Sequence, residues 1–362
     1  MNRDETEMES LPIDAEDPIA IDMDGDVILA CQNRDDHVTR AFRVSSKVLR
    51  LASPVFAGMF RPQFEEGNLL LQKECPVVEL KEDDASIMSV ILEILHFRCD
   101  IEDDNTDSET LARLAIHCDK YDLSKSLGPW VAFWFGKAKS VVTSTNDLGR
   151  QLLAAYTFNV SKEFKAISET ALKTVSPGFE DDWETQELLA SLPVNIKDAM
   201  SLRIKRTLDV LETEVQKVEA TLRLSLRSYE TSQRTCTVCG RTHPEQAKRC
   251  HRCKSSDLPL NYCGRDTRIA EYFAILRKAE LWPTLQPFGN CSISDIMFRI
   301  LCAQTDVNHA CSAGQSCPLF VNLAKLTDKA RRVEKKIRGF CLLCIREDYE
   351  WDESKRCTHL YD

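Results

Sequence analysis

The residues best placed to do chemistry lie in TCTVCGRTHPEQAKRCHRCKSS, where Cys236-x2-Cys239 is followed ten residues later by Cys250-x2-Cys253. Each CxxC can close a tight turn that aims two thiolates at one point. Two such turns supply the four sulfurs that a tetrahedral zinc ion prefers. Gly240, directly after the first pair, suits the left-handed backbone such a turn needs there. A lone CxxC is also a redox pair, but two at this spacing in a basic, proline-containing loop favour metal.

The segment looks like a zinc ribbon or double zinc knuckle. It fits a RING poorly, because Cys250 and His251 are adjacent and leave no spacer for an interleaved second site. His243 and His251 are fallback ligands. A closed four-thiolate set has no open coordination position, so it would hold a fold and hydrolyse nothing. The loop is locally basic, with Arg234, Arg241, Lys248, Arg249, Arg252, Lys254 and Arg265 against Glu245 and Asp257. Basic zinc modules can grip phosphates. No aromatic residue lies between Arg234 and Asn261 to stack on bases, so a solvated face is the default and nucleic acid is the lesser alternative.

A second, looser cluster comprises His309, Cys311, Cys317, the Cys341-x2-Cys344 pair, Cys357 and His359. The pair needs two partners, either Cys311 with Cys317 or Cys357 with His359, and spacing does not choose. The expected second zinc set is Cys341, Cys344, Cys311 and Cys317. Cys291 and Cys302, on the helical stretch SISDIMFRILCAQ, read as core thiols.

Cysteine distribution divides the chain. Of its sixteen cysteines, only Cys31, Cys75, Cys99 and Cys118 precede residue 236. The N-terminus is acidic where an export signal would be basic and then apolar, and no run of roughly 18 apolar residues occurs. The thiols are therefore expected in a reducing compartment, nucleus or cytoplasm, buried or metal-bound. A net charge of −10 opposes general attraction to nucleic acid or membrane. There is no phosphate-cradling glycine loop, G-x-S-x-G elbow or H-E-x-x-H, so a catalyst is not expected. Cys118 beside His117 is assigned to a buried helix face.

Several elements must position these groups. Ile87, Val90, Ile91, Ile94 and Leu95 recur at helical spacing behind Asp83 or Asp84 as N-cap. Leu111, Leu114, Ala115 and Cys118 do the same behind a Thr106/Glu109 capping box. Trp130 to Phe135 form a third, aromatic helix. Phe164, Ile167, Ala171, Leu172 and Val175 mark another. Ile204, Leu208, Leu211, Val215, Val218 and Leu222 then alternate four and three apart. This heptad seam is short enough to serve either a coiled-coil dimer or an intramolecular packing face. Further on, Ile269, Phe273, Leu276 and Leu281, then Leu319, Leu323, Leu326, Ala330 and Val333, point helices at a core. The basic stretch Lys329 to Arg338 reads as a solvated helix face or a nuclear address.

Near the N-terminus, strand-like GDVILAC (Gly25 to Cys31) and HVTRAFRV (His37 to Val44) flank the polar turn QNRDD. SSKVLRLASPVFAGMF follows, placing Val48, Leu49, Leu51, Val55, Phe56 and Phe60 in two short helices. The ordered pattern of Asp26 to Leu29, Phe42-x-Val44, Leu49, Ser53-Pro54-x-Phe56, Met59-Phe60, VVEL at Val77 to Leu80 and an acidic EDD resembles a BTB/POZ domain. The cysteine-rich remainder is similar, less specifically, to the tails of some fungal BTB proteins. The resemblance implies an α+β chain: a small sheet covered by helices, then a mostly α-helical region with small zinc-binding modules. The expected divisions are a disordered acidic segment at 1–20, the BTB/POZ domain at 21–136 and a helical region at 137–232. A zinc ribbon at 233–262 and a helical, Cys-rich region at 263–362 complete them.

The resemblance further implies a protein-interaction adaptor. In relatives that recruit cullin-type ubiquitin ligases, a hydrophobic-x-Glu motif lies where Phe64-Glu65-Glu66 stands here, which makes Phe64 and Glu66 candidate partner contacts. The bland alternative is an acidic loop with Phe64 tucked into the core. Ser45 replaces a His common in the family, and no apolar element precedes Asp26, so a swapped dimer is not implied, although a surface-mediated homodimer is compatible. The alternative to an adaptor is a nuclear regulator whose basic zinc module contacts nucleic acid.

Overall fold

The structure, a computed structural model, describes residues 17–34, 38–98, 106–139, 144–305, 307 and 309–347. Of the segment expected to be disordered, residues 1–16 lie outside the described residues, as do His37, Cys99, Cys357 and His359. Ile19–Ala20, however, form a short strand, so an ordered element does precede Asp26, because its backbone pairs with that of Phe42 and Arg43. The chain is α+β and divides into two compact units, residues 1–164 and 165–362. No helix among the described residues is long and apolar enough to cross a membrane.

The first unit is built on a four-stranded sheet in the order β1-β3-β2-β4, from β1 (Ile19–Ala20), β2 (Val27–Gln32), β3 (Thr39–Val44) and β4 (Val77–Asp84). β2 and β3 form an antiparallel pair with Leu29 opposite Phe42, and β4 runs parallel to β2. Between β3 and β4 come the short helices α1 (Ser46–Ala52), α2 (Pro54–Met59) and α3 (Glu65–Gln72). Asp26 accepts both the backbone N–H and the hydroxyl of Ser46, tying α1 to the start of β2. Ser53 caps α2 through the Phe56 N–H, with Pro54 in its first turn. Leu49, Phe56 and Phe60 are buried, whereas Leu51 and Val55, expected to pack with them, are exposed. Seven- and four-residue steps put the first three on one face, and the other two fall outside it.

α4 (Ala85–Leu95) follows β4 directly, capped by the Asp84 carboxylate on Ser86 N–H, and buries Ile87, Met88, Ile91, Leu92, Ile94 and Leu95. α5 (Ser108–Lys120) is capped by Asp107 accepting from Thr110 N–H, not by the Thr106/Glu109 box. α6 (Gly128–Lys139) contributes Trp134 and Phe135 to the core. α7 (Thr145–Thr157), with a Ser144/Asp147 capping box, packs on α5, so this unit continues beyond the expected boundary at 136. Phe56 stacks on Tyr121 at 4.4 Å. Tyr121 donates to the buried Asp83 carboxylate (2.6 Å), which also receives Lys120 Nζ at 3.0 Å.

α8 (Ser161–Thr174) carries the chain across the division. Short α9 (Phe179–Glu184) and α10 (Glu187–Ala190) lead into α11 (Val194–Leu224), the longest helix described. Its heptad seam, Ile204 to Leu222, is buried against helices of its own unit: α12 (Arg265–Lys278), α14 (Ile293–Thr305) and α15 (Pro318–Glu334). The seam thus serves intramolecular packing. Between α11 and α12 stands a three-stranded antiparallel sheet, β6-β5-β7, formed by β5 (Tyr229–Thr235), β6 (Thr242–Pro244) and β7 (Leu260–Cys263). α13 (Leu285–Asn290) and α16 (Leu342–Arg346) complete the unit. Close backbone approach matters at Gly339, where a Cβ would sit 1.7 Å from the Lys165 carbonyl oxygen.

Candidate metal centres

The first candidate centre forms because β5 delivers the chain to Cys236 and the knuckles on either side fold alike. Cys236 C=O accepts from Gly240 N–H (2.9 Å), and Cys250 C=O accepts from Lys254 N–H (2.9 Å). Each turn ends in a left-handed residue, Gly240 at φ +70° and Lys254 at φ +61°. Cys236 N–H reaches Arg241 C=O and Cys250 N–H reaches Ser255 C=O, closing both loops. Arg234 pins the two together, donating to the carbonyls of Glu245 (2.6 Å) and Leu258 (2.8 Å). That half-buried arginine is thereby removed from the basic face.

The four sulfurs lie within 4.8 Å of one another, with Cys236–Cys253 and Cys239–Cys250 each at 3.4 Å. Sulfurs about 2.3 Å from a shared tetrahedral ion stand about 3.8 Å apart, so this set can close on a metal with small movements. The buried cluster around them comprises little else: Cys236, Cys250 and Leu258, with Cys239, Ala247 and Cys253 against it. Backbone donors set the electrostatics. The Cys253 N–H, against the opposing effect of burial and joined by that of Arg252, holds the Cys250 thiol down at about 5. Burial would raise Cys236, but the N–H groups of Cys239 and Val238 and the Cys253 thiol hold it below its ordinary value. At Cys253 the Ser255 N–H lowers and the neighbouring sulfurs raise, and the sulfurs win, pushing it up to about 12. Four sulfurs this close cannot all ionise alone, whereas a divalent cation lets them. The rings of His243 and His251 lie 5.4 Å apart, tilted by 51°, and stand outside the group.

A second group brings together Cys263, His309, Cys311 and Cys317, again within 4.8 Å. Cys263 ends β7, His309 and Cys311 lie between α14 and α15, and Cys317 is the N-cap of α15. Cys263 Sγ is 3.8 Å from Cys317 Sγ, which is 3.3 Å from His309 Nε2. His309 Nδ1–H donates to Glu271 Oε2 at 2.7 Å, since a carboxylate can only accept, and this leaves Nε2 as the lone-pair donor facing the sulfurs. Burial raises the Cys317 thiol to about 12 against the Leu319 N–H. Burial likewise raises Cys263, opposed by Arg268.

Of the residues expected at a second zinc, Cys311 and Cys317 are therefore here, but Cys341 and Cys344 are not. Cys341 is the N-cap of α16 and Cys344 lies within it, both buried and neither in this group. Their places are taken by Cys263 and His309. Cys263 sits in no CxxC, and only the sheet brings it close, so spacing carried no sign of it. Cys291 and Cys302 are half-buried rather than core thiols, because Ile293, Ile296, Ile300 and Ala303 take the inner face of α14.

In the first unit, Phe64 is the N-cap of α3 and 50% exposed, so it is not tucked into the core. Glu65 and Glu66 occupy the first turn, where the helix dipole favours them. Cys31 and Cys118 are buried core thiols. Comparisons with protein-family models and with curated proteins return no match for this chain.

Proposed function

We propose that this chain is a protein-interaction adaptor, with a BTB/POZ-like docking module in its N-terminal unit and a zinc-stapled platform in its C-terminal one. The observation that carries the docking role is Phe64. Leaving a phenylalanine in water forgoes about 1.5–3 kcal/mol available from burial. Here it stands half exposed ahead of Glu65 and Glu66, an apolar knob beside two carboxylates. Such a combination suits a partner offering an apolar pocket rimmed by basic side chains, and the resemblance to relatives that recruit cullin-type ligases makes a cullin N-terminal domain the candidate.

Zinc is the ion the first centre fits best: four thiolates, no carboxylate and an approximately tetrahedral spacing. A four-thiolate zinc centre carries two net negative charges. The exposed Arg241, Lys248, Arg249, Arg252 and Lys254 around it offset them, so this basic face needs no phosphate partner.

Mixing the purified chain with a cullin N-terminal domain tests the partner. A complex at micromolar concentration that Phe64→Ala weakens at least about tenfold, roughly 1.4 kcal/mol, is the expected result. No complex at that concentration removes the cullin, and affinity capture with mass spectrometry then decides whether any protein docks at Phe64.

A further inference from the structure

The group at Cys263, His309, Cys311 and Cys317 contains a feature that its ligands alone do not explain. Arg268, on the first turns of α12, is fully buried at 0% exposure. Its guanidinium donates to the carbonyls of Arg227 (3.0 Å), Cys263 (2.8 Å) and Ser225 (2.7 Å), and it reaches Cys263 Sγ at 3.6 Å. The Ser225 hydroxyl at 3.5 Å and the Tyr229 ring at 6.0 Å complete its surroundings. No carboxylate is among its partners in the described residues, and its Nε makes no hydrogen bond. A guanidinium stays charged at any pH the protein meets, and burying that charge without an opposite one is costly.

We infer that Cys263, His309, Cys311 and Cys317 form a second structural zinc centre, with Arg268 as its buried counter-charge and Glu271 fixing the imidazole. Zinc held by three thiolates and one neutral imidazole carries a single net negative charge, which is the charge Arg268 lacks. Binding displaces one proton from each of the three thiols to solvent, and His309 supplies the Nε2 lone pair without losing a proton. The Glu271 carboxylate on Nδ1–H selects that tautomer, the arrangement in which an outer carboxylate orients a metal-bound histidine. Because the ligands come from the end of β7 and the head of α15, the ion fastens the small sheet to the helices. Ser312 N–H on Glu230 C=O (2.7 Å) joins the same two regions. This centre is independent of what docks at Phe64.

The full-length protein, purified with its metal, tests the assignment. Metal analysis should give two zinc ions per chain, and X-ray absorption should give an average first shell of seven sulfurs to one nitrogen across the two centres. Release to a chromophoric chelator should show one zinc leaving about 10–100-fold faster in Glu271→Gln and in Arg268→Lys, with the other zinc unchanged. One zinc per chain, an all-sulfur shell, or release kinetics untouched by both substitutions would overturn it. Should Arg268→Lys fail to fold, the wild-type stoichiometry and absorption spectrum decide alone.

Discussion

Cys31 and Cys118 in the N-terminal unit are 1% and 0% exposed, and Cys236 and Cys250 in the ribbon are 1% and 0% exposed. Equally low exposure goes with opposite thiol behaviour, because Cys31 and Cys118 lie deep in an apolar core and the ribbon thiols lie in a cluster of only a few residues. Burial, with Asp83 nearby, pushes Cys31 up to about 12, and burial with Asp119 does the same to Cys118, so both behave as small hydrophobes. Around Cys250 the turn points backbone N–H groups at the sulfur, and its thiol sits at about 5. A buried cysteine standing alone in a core packs as a hydrophobe, whereas one gathered with other sulfurs within bonding reach of a shared ion can serve as a ligand. The two units differ correspondingly in what fills their interiors: Phe42, Phe56, Tyr121 and Trp134 in one, sulfurs and Leu258 in the ribbon of the other.

The strongest way to break this contrast is to remove the metal. Structural zinc in small modules contributes on the order of 10–16 kcal/mol of binding that is also folding energy. Chelation should therefore unfold the ribbon, seen as lost amide protection across β5 to β7, while the sheet of the N-terminal unit keeps its protection. A thiol reagent added with the chelator at pH 8 should modify Cys236, Cys239, Cys250 and Cys253 promptly and spare Cys31 and Cys118. Modification of the latter two at the same rate would mean that the two kinds of buried sulfur are not distinct.

The converse perturbation acts on the apolar interior. Phe56 is fully buried and stacks on Tyr121, so Phe56→Ala should cost about 3–5 kcal/mol in the N-terminal unit and leave the zinc content at the wild-type value. Denaturant unfolding read by tryptophan fluorescence, with metal analysis on the same sample, measures both. A loss of zinc would show that the ribbon depends on the other unit's core.

How far each region was legible follows the same division. The CxxC turns announced themselves because metal geometry is local, and Gly240 with them. Helix faces governed by apolar period, such as Leu319, Leu323, Leu326 and Ala330, were equally plain. In α12 the apolar spacing points to Ile269 and Phe273, about one residue round from the face that is buried. The buried face is Arg268, Tyr272, Ile275 and Leu276, because an arginine counts as solvent-facing until its partners are known. Cys263 carries no local sign, because its role depends on β7 pairing with β5, a long-range fact. Thr106 and Asp107 both suit a cap by residue type, and only the backbone angles select Asp107.

A smaller effect sharpens the comparison through pH. Burial works against the Asp84 carboxylate, but its hydrogen bonds from the Ser86 hydroxyl and N–H, with Arg113 at 3.1 Å, outweigh it and hold its pKa below the ordinary value. Such a group stabilises the fold above its unfolded pKa, near 3.9, and the contribution is lost as pH falls through the lower folded value. Asp84→Ala should cost about 1 kcal/mol at pH 7 as a lost helix cap. The difference from wild type should narrow below about pH 4. Thermal unfolding at pH 7 and in the acid range measures this, and a deficit that persists undiminished in acid would assign the cost to packing instead of charge.

The smallest effect concerns the symmetry of the two knuckles. Both need a left-handed residue after the second cysteine, and only the first has glycine there. Lys254 adopts φ +61° with a side chain, at a cost of roughly 1 kcal/mol relative to glycine. Its backbone N–H still completes the turn to Cys250 at 2.9 Å, and its side chain is exposed. Lys254→Gly should therefore slow zinc release modestly, whereas Gly240→Ala should speed it by a similar factor, although a Cβ at Gly240 meets nothing within 4 Å. Because both substitutions change backbone preference at the same position of the turn, opposite shifts of similar size would trace the effect to backbone conformation. A Lys254→Gly variant that releases zinc faster would instead point to the lost positive charge beside the thiolates.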